Sequence, residues 1–239
     1  MSTSRETVDA AKQRYANGES QEAYRHLRTF FSGLGVAPCD EALFFEALAL
    51  LATLSQAFGA TTAADALKAC LARRDDAERY FTAAWQLYEE GQYAPASALL
   101  FRANQLTPGE PGIVSELSAA LEAQLRYSEA ARVLEASGTP ERDPMCAYLA
   151  GFNGVMCGEL DRARVQLARL ADVTDARLVF QRDVLRGMVA RADALSAAGV
   201  SLTGLALSAW QAVINGTVLL HESPHGYEAP MRGRYAFVS

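Results

Sequence analysis

The feature that most constrains this chain is an interval of about 34 residues at which one side-chain pattern returns. Gly91 is followed by Tyr93, Ala96, Leu100, Ala103 and Pro108. The series recurs as Leu125, Tyr127, Ala130, Leu134 and Ser137, then as Gly158, Leu160, Ala163, Leu167 and Leu170. An earlier copy reads Gly18, Ser20, Ala23, Leu27 and Phe30. The preceding half repeats too, with Ala83-Ala84, Leu117-Ser118 and Ala150-Gly151 at equivalent places, each with a small second residue. Spacings of three and four within each half predict amphipathic helices. A glycine between the halves can take the left-handed conformation that ends the first helix. Each unit therefore reads as a helix hairpin, and one hairpin cannot bury its own apolar face, so several must stack.

Segment Ala77–Glu110 carries Tyr80, Ala83, Ala84, Leu87, Gly91, Tyr93, Ala96, Leu100, Ala103 and Pro108. In this it resembles the tetratricopeptide repeat. Pro111–Asp143 and Pro144–Ala176 resemble it with departures: Leu125 stands where a turn glycine is expected, Ala147 replaces the initial bulky residue, and Gly154 replaces the tyrosine. The resemblance implies a mainly all-α fold, an α-solenoid of tetratricopeptide-like helix hairpins over residues 1–200. Small Ala96, Ala130 and Ala163 would then sit where two helices cross closely, and Tyr93, Tyr127 and Leu160 would wedge between neighbouring units.

Outside the three best repeats, Ser4–Phe31 reads as a divergent first hairpin. Asp40–Arg73 joins as a second by position and length, without the repeat signature. Its first helix carries Leu43, Phe44, Ala47, Leu48 and Leu51, and Gly59-Ala60-Thr61-Thr62 predicts a turn with a threonine cap before Ala63–Ala72. Arg177–Ala198, with Leu178, Leu185, Met188, Ala192 and Leu195, predicts a helix that closes the stack. Residues 201–239 change character: Leu202–Ile214 reads as a helix, and Thr217–His221 and Arg234–Val238 as short strands. Together they form a small C-terminal α/β element, either docked on the helices or part of an incomplete domain.

The net charge is −6 and no basic stripe accompanies it, which disfavours nucleic acid and anionic membrane as partners. The N-terminal residues lack the build of a signal peptide, and no apolar run approaches ~18 residues, so a cytoplasmic protein is expected. His221-Glu222-Ser223-Pro224-His225 fits the zinc-protease expression, but Pro224 would break the helix that must put both imidazoles on one face. A structural loop is expected there, with no metal and no cofactor. Cys39, Cys70, Cys146 and Cys157 form no C-x-x-C pair and read as free thiols. No glycine-rich phosphate loop or nucleophile elbow occurs, so no catalytic residue is nominated and the chain is not expected to be an enzyme.

The candidate binding residues form an aromatic stripe beside the packing stripe. In Ala77–Glu90 the packing residues are Tyr80, Ala83, Ala84 and Leu87, while Phe81, Trp85 and Tyr88 lie about 100° round the helix. Tyr148, Phe152, Val155 and Met156 form the corresponding stripe in the third repeat, with small Ser115, Ala119 and Ala123 between. In tetratricopeptide proteins this surface resembles the concave groove that receives peptides. The resemblance implies a scaffold or adaptor that binds a protein or peptide partner. Three alternatives stay open at this stage: a secretion-type chaperone for one cargo protein, an enzyme or sensor with its site in the His221–Arg234 loop, and aromatics that simply pack against the chain itself.

Overall fold

The computed structural model describes residues 4–34 and 40–199. These are all-α: among the described residues there are eleven α-helices, one 3-10 turn and no strand. The expected C-terminal element, the His221–His225 motif and Cys39 lie outside the described residues. The chain divides into two compact units, Met1–Leu125 and Arg126–Ser239.

The first unit holds α1 (Ser4–Ala16), α2 (Ser20–Leu34), α3 (Glu41–Ala57), α4 (Thr61–Ala72), α5 (Ala77–Glu89), α6 (Tyr93–Leu106) and α7 (Pro111–Glu122). Helices α1/α2, α3/α4 and α5/α6 pack as hairpins, α4 lies on α5, and α6 lies on α7. Helix α3 is apolar around most of its circumference, and it buries Leu43, Phe44, Phe45, Ala47, Leu48, Leu51, Ala52 and Leu54. It touches α1 and α2 as well as α4. Glu46 on its outer side accepts from Arg5 at 3.0 Å and from Lys12, which holds α1 against it. A longer-range contact also joins this unit: α2 packs against α6.

The second unit holds α8 (Tyr127–Ala136), the 3-10 turn Thr139–Glu141, α9 (Pro144–Met156), α10 (Leu160–Arg169) and α11 (Ala176–Ala197). Helix α9 is enclosed by α8, the 3-10 turn, α10 and α11. Its sequence between Pro144 and Met156 has no charged residue, as burial on every side requires.

Two local devices recur along the chain. The first is the turn within each pair. Gly18, Gly59, Gly91, Leu125 and Gly158 all have positive φ, and in every case the next helix starts two residues later. The following amide closes the turn on the carbonyl five residues back: Glu19 on Arg14, Ala60 on Ser55, Gln92 on Leu87 and Glu159 on Gly154, at 2.7–2.9 Å. The Asp40–Arg73 segment shares this device at Gly59. Its expected threonine cap is corrected: α4 begins at Thr61, and the capping position is Ala60, which offers no side-chain acceptor.

Leu125 meets the same demand without glycine's freedom, at φ 60 and half exposed. A left-handed non-glycine residue carries about 1–2 kcal/mol of steric cost, partly offset because leucine loses less chain entropy than glycine on folding. Leu125→Gly should raise stability by about 0.5–1 kcal/mol. The check is a higher urea midpoint at unchanged m value.

The second device is a carboxylate before the first helix of each pair. Asp40 accepts from the Leu43 amide at 2.9 Å, Asp76 from Arg79 at 3.3 Å and Glu110 from Ile113 at 2.6 Å. Asp143 accepts from Cys146 at 2.9 Å, and Asp175 from Leu178 at 3.1 Å. Each satisfies an amide that has no intrahelical partner and puts negative charge at the positive end of the helix. Asp143→Ala should therefore lower stability by about 1 kcal/mol, whereas Asp143→Asn should retain most of it, as read by thermal melting.

Candidate functional site

Helix α5 presents the two stripes as separate faces. Tyr80, Ala83, Ala84 and Leu87 are fully buried. Tyr80 also donates its hydroxyl to the Arg74 carbonyl at 3.1 Å, which ties the α4–α5 connection to the core. On the other face Phe81 and Tyr88 are half-buried, and Trp85 is 44% exposed. The Tyr88 ring meets Tyr93 edge-on at 5.1 Å, which fixes the C-terminal end of this face. The helix packs on α4 and α6.

In α7, Ser115 is half-buried and donates its hydroxyl to the Gly112 carbonyl at 3.0 Å, while Ala119 is buried. In the second unit Tyr148, Phe152 and Met156 are all buried, with the two rings tilted at 6.3 Å between centroids. The eight candidate residues therefore fall into two groups. Phe81, Trp85, Tyr88, Ser115 and Ala119 belong to the first unit, and Tyr148, Phe152 and Met156 belong to the second. Of the aromatic candidates only Trp85 has a large exposed surface.

The polar groups near these helices serve structure. The Gln124 amide donates to the Tyr93 carbonyl at 3.1 Å, to the Ser97 hydroxyl at 3.0 Å and to the Ala120 carbonyl at 2.8 Å, which fastens the end of α7 to α6. Ser118 donates to Glu122 at 2.8 Å, a carboxylate only 6% exposed that the sequence pattern does not single out. The Cys70 thiol donates to the Arg79 carbonyl at 3.2 Å, and burial pushes its pKa up to about 12. Burial raises Cys157 in the same direction. Neither thiol is thereby primed as a thiolate nucleophile.

Among the described residues no group of three or more His, Cys, Asp or Glu side chains could hold a metal ion. No described helix is long and apolar enough to cross a membrane. A second surface feature went unnoticed in the sequence: a cleft in the first unit lined by Gln21, Tyr24, Arg25 and Arg28 of α2 and by Phe58 at the end of α3. Its residues come from two helices joined through the connection that begins at Leu34, so no single helix pattern displays them.

The comparisons with known proteins decide nothing further. No protein-family model matches the chain, and neither the curated proteins nor the solved structures yield a match.

Proposed function

We propose that this chain is a stack of tetratricopeptide-like helix hairpins that works in the cytoplasm by binding another polypeptide, without catalysis, and that the Phe81–Trp85–Tyr88 face of α5 contacts the partner. The observation that carries this reading is the exposure of Trp85 on a helix whose packing stripe is completely buried. Folding does not require a tryptophan there, because Tyr80, Ala83, Ala84 and Leu87 already secure α5. An exposed indole flanked by two half-buried rings gives a rigid apolar anchor, and such anchors commonly dominate the energy of protein interfaces. The recurrence of the left-handed turn and the carboxylate cap supports the repeat architecture, since both fall at corresponding places in successive helix pairs.

The test is affinity capture with mass spectrometry, using the wild-type chain and Trp85→Ala as parallel baits. A scaffold retains several partners and a cargo chaperone retains one. Either way, the proteins bound through this face are lost from the Trp85→Ala bait. Equal recovery on both baits would remove the face from the binding site.

A further inference from the structure

We propose that the cleft between α2 and the end of α3 is a second recognition site, which takes an acidic side chain of a partner polypeptide together with an adjoining aromatic one. It rests on the reading of the chain as a polypeptide binder, but uses a surface distinct from the Trp85 face. The cleft has a volume of about 340 Å³ and is lined by Gln21, Tyr24, Arg25, Arg28 and Phe58. The first four recur at intervals of three and four along α2, so they form one face of that helix. Phe58 follows α3 as its C-terminal cap residue and brings an apolar ring to the cleft.

The two arginines differ. Arg25 is held by Glu22 at 2.7 Å, one turn earlier on the same helix. Arg28 makes no ion pair among the described residues and is exposed. A planar guanidinium without a partner can take a carboxylate through two parallel hydrogen bonds. The carboxamide of Gln21, two helical turns before Arg28 on the same face, lines the far end of the cleft. Tyr24 is close enough to feel Arg28: burial raises its phenol, while the guanidinium pulls it back down.

The apolar half is formed by two rings. Tyr24 and Phe58 meet edge-to-face at 90°, with centroids 6.0 Å apart, yet Phe58 remains 49% exposed. An incoming aromatic side chain can cover that free surface while its acidic neighbour engages Arg28. A small inorganic anion would use only the cationic half. The two-part lining is why the occupant is assigned as a peptide segment rather than a free anion. Glu90 also lies near enough to raise Tyr24. The Gln92 amide donates to one oxygen of that carboxylate at 2.8 Å. On a chain of net charge −6, acidic ligands are repelled in general. A local cation beside a free ring is what would let one dock.

The test titrates the full chain with a capped tetrapeptide, acetyl-Gly-Asp-Phe-Gly-amide, and follows Tyr24 and Phe58 ring resonances by NMR. The matched Asn-Phe peptide and inorganic phosphate serve as comparison probes. The acidic peptide should bind at least ~10-fold more tightly than the Asn peptide, and more tightly than phosphate. Raising salt should weaken it. Arg28→Gln should abolish the preference for Asp over Asn, Arg28→Lys should restore part of it, and Phe58→Ala should weaken both peptides. Both positions are exposed, and unchanged thermal melting confirms that the variants fold. Equal binding of the Asp and Asn peptides to the wild-type chain, stronger binding of phosphate, or full retention of the preference in Arg28→Gln would each overturn the proposal. Partner capture through Trp85 would be unaffected by any of these, so the two readings fail separately.

Discussion

Phe152→Ala should lower the stability of the chain by about 3–5 kcal/mol, the largest effect of any substitution considered. The ring is 2% exposed in the middle of α9, a helix enclosed by α8, the 3-10 turn, α10 and α11. Truncating it removes the transfer energy of a whole aromatic side chain. It also leaves a void that these helices can fill only by moving together. Glycine neighbours limit that movement. A Cβ placed on Gly151 would lie 2.6 Å from a Leu185 methyl, and one on Gly154 would lie 3.2 Å from the Ala163 nitrogen. The backbones of α9 and α10 are thus already near their closest approach, and the Leu185 side chain of α11 already fills the space over Gly151. Urea unfolding followed by circular dichroism measures the loss directly. A change below about 1 kcal/mol would mean that Phe152 is not a core residue.

The second large effect is overpacking. Ala163 is fully buried in α10, and its nitrogen faces Gly154 of α9. Leucine there would force three additional carbons into the crossing and should cost about 1–3 kcal/mol. Ala96, fully buried in α6, holds the corresponding repeat position, so Ala96→Leu should fall in the same range. The proposed register requires both. Unchanged denaturation midpoints for both variants would detach these alanines from the close crossings assigned to them.

The helices were legible in the sequence because their packing stripes are strongly periodic, and Tyr80, Ala83, Ala84 and Leu87 are buried as that periodicity predicts. The turn at Leu125 was harder to read, since leucine does not announce a left-handed residue. Its place in the 34-residue series, between Gly91 and Gly158, is what marks the position. The carboxylates Asp40, Asp76, Glu110, Asp143 and Asp175 stand one residue before their helices in plain view. Acidic residues are common enough that a single one carries little signal, and only their regular recurrence marks the Asp40–Arg73 pair as a member of the series.

The candidate site was less legible for a physical reason. Tyr148, Phe152 and Val155 occupy the same helical register as Phe81, Trp85 and Tyr88, with Met156 beside them, and register alone cannot distinguish a surface from an interior. What differs is the neighbourhood. Helix α5 packs on α4 and α6, whereas α9 is enclosed. One clue was available: the α5 segment has Glu78, Arg79 and Glu89 among its aromatics, and the α9 segment has no charge at all. The α2–α3 cleft offered no such clue, because the helices that form it are brought together by tertiary packing.

A paired measurement on Trp85→Ala separates a binding role for Trp85 from a folding role. The dissociation constant for a captured partner and the thermal midpoint should be determined on the same preparation. The predicted result is at least a ~10-fold loss of affinity, with stability within about 0.5 kcal/mol of the wild-type chain. An unfolded or strongly destabilised variant whose folded fraction binds with undiminished affinity would contradict it, and would place Trp85 in the core.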